Sequence, residues 1–289
     1  MLNLLYSSRK PFLVSRRFQT GGEMFLNTPA GRIAYNTYGK NKEHSIVFIH
    51  GFPFDKSMWD EQARLLSTDH FVVTFDLRGH GESDAGTGQY LVEFIVDDLF
   101  SVMNSAGLET AVVCGLSIGG YVALRAVDRE RSRISGVILC NTKSLADANA
   151  AKLNRANQIK MILAGKRSQF AEEMARALFA PESFEKNKDA VSKIISIMKS
   201  TNETALIGTL IALAARMDMT ESLEKISLPA LIMTGEKDKV ATTAEAELMN
   251  SRIKNSRFVL IHGAGHLSNL ENPTEFNSAI VSFLRENNL

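Results

Sequence analysis

Thr110-Ala-Val-Val-Cys114-Gly115-Leu116-Ser117-Ile118-Gly119-Gly120-Tyr-Val-Ala-Leu-Arg125 reads as a buried strand running straight into a helix, with a serine at the corner. A turn this sharp holds its corner residue in a strained conformation and leaves no room for side chains two positions away. Gly115 and Gly119 are therefore needed on either side. The strain lifts the Ser117 hydroxyl clear of the sheet, beside the positive end of the following helix. Ser117 is thus the candidate nucleophile.

The flanking chain repeats the same unit. Residues 24–28 and 32–38 read as alternating strands joined by Pro29-Ala-Gly31. Residues 45–49 form a continuous apolar strand, followed by His50-Gly51-Phe52-Pro53 and an amphipathic helix over 57–66. A strand at 71–75, a Gly-rich loop at 78–88, a helix over 91–105 and a strand at 134–140 complete the first part. Apolar strands alternating with helices predict a parallel sheet covered on both faces. From 146 to 223 only helical periodicity remains, which reads as a helical cap inserted into the α/β rhythm. The rhythm resumes with strands at 230–234 and 258–261 and helices over 243–251 and 273–285. The expected division is a leader at 1–23, an α/β core at 24–145 and 224–289, and a cap at 146–223.

Composition narrows the function. The 289 residues are 45% apolar and 22% charged, as in an ordinary soluble globular protein. A net charge of +1 points to neither nucleic acid nor a membrane as partner. The apolar run at 205–215 is too short to span a bilayer. Residues 1–22 carry Arg9, Lys10, Arg16 and Arg17 without an acid, leaving 29 basic against 32 acidic residues in the remainder. Such a leader fits a mitochondrial transit peptide, the alternative being an upstream start to a chain that begins at Met24. The expected location is cytoplasmic, or the mitochondrial matrix if the leader is a transit peptide. Cys114 and Cys140 lie in apolar runs far from metal-ligand spacing and are expected as buried, reduced thiols. No metal and no cofactor are implied.

A serine hydroxyl needs a base to take its proton and an acid to orient that base. In an open parallel sheet, reactive groups gather at the carboxyl ends of strands. Of six histidines, His266 in Gly263-Ala-Gly-His266 lies just past the last strand and is the expected base. His262, which ends that strand, is expected to be structural. The acid should fall between serine and base in the chain. Asp238, in Thr234-Gly-Glu-Lys-Asp238, meets that condition, with Glu236 as the alternative on the same loop. Acyl chemistry also needs donors for an oxyanion, here the N–H groups of Ile118 and Phe52, since Pro53 has none. His50 and Gly51 are supporting residues of that loop, with His50 bracing it by hydrogen bonds. Phe54, Met58 and Trp59 are expected in the core.

His50-Gly51, Asp76-Leu-Arg-Gly-His-Gly-Glu-Ser83, Gly115-Leu-Ser-Ile-Gly119, Gly235-Glu-Lys-Asp238 and Gly265-His266 together resemble the α/β-hydrolase fold family from about residue 24 to the C-terminus. The resemblance implies a mostly parallel eight-stranded sheet, helices on both faces, an inserted helical cap and a structural role for the Arg78–Ser83 loop. Within the family the chain is most similar to the branch of enol-lactonases, cofactor-free haloperoxidases and small carboxylesterases. His50-Gly-Phe-Pro-Phe-Asp-Lys-Ser-Met-Trp59, the cap stretch 155–181 and Ala214-Ala-Arg-Met-Asp218 carry that match. Ala177-Leu-Phe-Ala-Pro181 lacks the tryptophan of the lactonase pattern. Serine at 117 sets aside the dehalogenases and epoxide hydrolases of this fold, whose nucleophile is aspartate. Asn141 leaves no carboxylate at the alternative acid position. The implied function is a serine hydrolase of a small carboxylic ester or lactone. The alternatives are perhydrolysis or C–C cleavage on the same triad, or a small-ligand receptor with slow turnover.

Overall fold

The computed structural model describes residues 23–39 and 42–289. The basic leader at 1–22 lies outside the described residues. The first half of the chain comprises β1 (Glu23–Thr28), β2 (Gly31–Tyr38), β3 (Ser45–Ile49), α1 (Asp60–Leu66), β4 (Phe71–Phe75), α2 (Val92–Ser105), β5 (Ala111–Leu116), α3 (Ile118–Arg129) and β6 (Ile134–Cys140). Five helices follow without a strand: α4 (Asn149–Leu163), α5 (Arg167–Leu178), α6 (Ser183–Lys186), α7 (Lys188–Ser200) and α8 (Glu203–Ala215). The chain closes with β7 (Ala230–Gly235), α9 (Thr243–Arg252), β8 (Ser256–Ile261), α10 (Ser268–Glu271) and α11 (Pro273–Glu286).

The eight strands form one sheet in the order β1-β2-β4-β3-β5-β6-β7-β8. From β4 to β8 each neighbouring pair is parallel, whereas β2 runs antiparallel to both β1 and β4. The chain leaves β3 to build β4 on one side, then returns to lay β5 on the other. Such a reversal opens a crevice beyond the carboxyl ends of the two inner strands. The loop after β3 and the serine after β5 therefore face the same crevice.

Side chains alternate across the sheet with the period of two that extended backbone imposes. Val47 and Ile49 of β3, Val113 of β5 and Leu139 of β6 join α2 and α3 in one buried cluster. Ile46, Phe48, Cys114 and Cys140 point the other way, into a cluster with α1 and α11. Phe54, Met58 and Trp59 are buried on that side, Trp59 lying 4.8 Å from the Phe48 ring and 6.1 Å from Phe276. Cys114 and Cys140 are free, buried thiols with sulfurs 3.7 Å apart. The apolar run of α8 sends Leu206, Leu210 and Leu213 into the core. Among the described residues no helix is long and apolar enough to cross a membrane.

Two local departures from the sequence reading have physical causes. The helix expected over 57–66 begins as a 3₁₀ turn, Lys56–Trp59, because the Asp55 carboxylate caps the Ser57 N–H at 2.9 Å and tightens the entry. α10 has only four residues and shows no periodicity to read.

Candidate active site

Ser117 sits between the last residue of β5 and the first of α3 at φ 56° and ψ −114°, a region costly for a side chain. Its neighbours impose that geometry. A Cβ on Gly115 would stand 2.1 Å from the Gly119 carbonyl oxygen, and one on Gly119 would stand 2.3 Å from that of Ile49. The backbone of Ser117 is held by β6 and the residues after it. Its N–H donates to the Cys140 carbonyl at 3.0 Å, and its carbonyl accepts the Thr142 hydroxyl at 2.8 Å.

Between those two partners lies Asn141, also at positive φ (46°) and fully buried. Its amide donates to Asp238 Oδ2 at 2.9 Å and to the Gly265 carbonyl at 3.1 Å. Asp238 Oδ2 also lies 2.8 Å from His266 Nδ1, and both side chains are buried. The other oxygen of Asp238 accepts the N–H groups of Val240 and Ala241 at 2.8 and 3.0 Å. Burial alone would raise the Asp238 carboxyl, but His266, Asn141 and the backbone donors outweigh it and hold the group below its ordinary range. An ionised carboxylate at Nδ1 keeps the proton on that nitrogen and frees Nε2 to act as an acceptor. Glu236, on the same loop as Asp238, accepts the Gly263 N–H at 2.8 Å instead. His262 is exposed at the molecular surface and pairs with Glu275 at 2.7 Å.

The loop after β3 packs against the serine corner. A Cβ on Gly51 would come within 2.8 Å of Leu116 Cδ2, and Phe52 is buried against the ring of His80. Among the described residues, neither the Phe52 nor the Ile118 N–H donates to a protein acceptor. Ile118 is the first residue of α3, where unpaired N–H groups and the helix dipole favour negative charge. His50 fixes the loop from beneath. Its Nε2 accepts the Leu77 N–H at 2.9 Å, so Nδ1 carries the proton and donates to the Gly51 carbonyl at 2.8 Å. Burial pushes His50 down to about 4, so it is neutral and not a proton shuttle near neutral pH. Arg78 forms a buried ion pair with Asp98 at 2.7 Å and also bonds the carbonyls of Gln89 and Phe94, binding its loop to α2.

Residues 44–273 match the alpha/beta hydrolase fold. The chain belongs to that family. A thermophilic esterase from Thermogutta terrifontis, solved with malate bound, superposes with a TM-score of 0.87 at 32% identity, covering 93% of this chain and 100% of that one. The chain is also 26% identical to 3-oxoadipate enol-lactonase 2 of Acinetobacter baylyi, over 88% of its own length and 93% of the relative's. It is 24% identical to a non-heme chloroperoxidase of Streptomyces lividans, over 88% and 96% of the two chains. These relatives represent the three branches that the sequence motifs resemble.

Asn141 and Thr142 also contribute, although neither is expected to from the sequence. Asn141 carries no carboxylate, yet it ties Asp238 and the histidine loop to the strand end that holds Ser117. Its position directly after a buried strand, at the crevice end of the sheet, was the available signal.

Proposed function

We propose that the protein is a serine hydrolase acting on a small carboxylic ester or lactone, with Ser117 as nucleophile, His266 as base and Asp238 as its orienting acid. Ser117 Oγ attacks the carbonyl carbon while His266 Nε2 takes its proton. The oxyanion is received by the Phe52 and Ile118 N–H groups, which have no other acceptor to give up. His266 returns the proton to the leaving alkoxide, and an acyl ester on Ser117 remains. Water, deprotonated by the same nitrogen, then releases the acid and restores the hydroxyl. The helices α4–α8 serve as the cap whose side chains select the acyl group.

The observation that carries this reading is the buried 2.8 Å pair of His266 and Asp238, joined through Asn141 to the strand end that fixes Ser117. The esterase and enol-lactonase relatives support the substrate class. A panel of p-nitrophenyl esters of increasing acyl length, with several lactones, tests it. Turnover should be found for short acyl chains or lactones. Absence of turnover across the panel, with a ligand-induced rise in stability, would point instead to a receptor. The chloroperoxidase relative favours a second outcome on the same triad, peracid formation from a short carboxylic acid and peroxide, which is assayed directly.

A further inference from the structure

We propose that Glu271 is a positioning residue for His266, locking the backbone of the histidine loop to the helical insertion. The inference rests on the reading of His266 as the base. The two oxygens of Glu271 divide between the two parts of the molecule. Oε1 accepts the N–H groups of Gly265 and Leu267 at 2.9 and 3.1 Å, the residues on either side of His266. Oε2 accepts the Ala180 N–H at 2.8 Å and the Ser183 hydroxyl at 2.6 Å, both in the segment that follows α5. The His266 N–H itself donates to the carbonyl of Leu178, the last residue of α5, at 2.7 Å. Three consecutive N–H groups of the histidine loop are thus taken up, two by one carboxylate and the third by the insertion.

The apposition is close. A Cβ on Gly265 would lie 2.6 Å from both the Ala180 nitrogen and the Leu178 oxygen, so only glycine allows the two backbones to meet. Of the common side chains, a carboxylate alone accepts at both ends. An amide at 271 satisfies one pair of donors and turns its own N–H groups towards the other. An imidazole that must reach the serine, the leaving group and a water in turn depends on a backbone that does not drift, since a displacement of about 1 Å costs on the order of 10²-fold in rate. The α5–α6 segment is thus tied to the histidine loop both through Glu271 and through the Leu178 carbonyl.

The test uses the full chain with Glu271→Gln, Glu271→Ala and Ser183→Ala. Steady-state kinetics on p-nitrophenyl acetate are read per competent site, with sites counted by fluorophosphonate titration. A positioning role predicts that kcat per titratable site falls about 10- to 100-fold in Glu271→Ala. It also predicts a smaller fall in Glu271→Gln, which keeps one half of the lock, and little change in KM in either variant. A merely structural role would lower the number of titratable sites and leave kcat per site unchanged; kcat per site within twofold of the parent in both variants overturns the proposal. If Glu271→Ala yields no folded protein, Ser183→Ala withdraws one donor of four. Its kcat per site should then fall about threefold, and parental turnover there overturns the proposal equally. Ser117→Ala and His266→Ala run alongside. If those retain turnover, the triad itself is wrong; if they lose it while the Glu271 variants keep theirs, only the role of Glu271 fails.

Discussion

At the scale of single residues, the site depends on a few polar groups held where they would not otherwise rest. Ser117 and Asn141 both occupy positive φ, and each is locked by hydrogen bonds from the neighbouring strand end. In the proposed mechanism Asp238 keeps the His266 proton on Nδ1, so Asp238→Asn should leave the packing largely intact and present the wrong tautomer. The expected fall in kcat is about 10⁴-fold, measured on whichever ester the panel identifies; a loss below tenfold would remove Asp238 from the mechanism. Ser117, Asp238 and His266 stand out in the sequence as candidates because each follows a readable strand and the proposed roles restrict their order along the chain. Asn141, Thr142 and Glu271 do not, because their contacts are made with partners distant in sequence, such as Gly265, which lies 124 residues from Asn141. An asparagine after a strand, or a glutamate in a four-residue helix, has no periodic signal to mark such contacts.

At the scale of elements, the strand-to-helix corner is built from backbone approaching backbone. The carbonyl oxygen that a Gly119 Cβ would strike belongs to Ile49 in β3, a central strand paired on both sides and unable to yield. Gly119→Ala should therefore destabilise the protein by about 3 kcal/mol, at the upper end for overpacking a rigid site. Urea unfolding checks this; a change under about 0.5 kcal/mol would mean that the corner relaxes far more easily than its contacts indicate. Strands β3 to β7 were readable from apolar runs, since both faces of the sheet are covered and polarity alone marks their ends. The 3₁₀ entry to α1 was hidden because a capping aspartate shifts the first turn without altering the apolar period.

At the scale of the whole molecule, two neutral histidines buried side by side link folding to acidity. His50 and His80 lie 5.5 Å apart, and burial holds them down to about 4 and about 3 against an ordinary 6.5. As pH falls below 6.5 the unfolded chain takes up protons that the folded chain refuses, so each histidine removes stability, at most about 1.4 kcal/mol per pH unit. Asp76 acts in the opposite sense. Burial raises it to about 6 against its Lys56 partner, so between about pH 4 and 6 the folded chain holds the extra proton and one histidine's effect is offset. His80→Phe should flatten the acid loss of stability over that window by about 1.4 kcal/mol per pH unit, seen in urea midpoints across pH; parallel profiles for variant and parent would refute the buried-neutral assignment. The same crevice end of the sheet that gathers these groups also gathers the proposed triad, and the claim that it performs acyl transfer has a direct test. The protein is to be titrated with a fluorophosphonate, residual ester turnover followed, and the adduct mapped by peptide mass spectrometry. One adduct per chain on Ser117, with activity lost in proportion and no labelling of Ser117→Ala, is the predicted result; turnover that survives complete labelling, or an adduct on another residue, would contradict it.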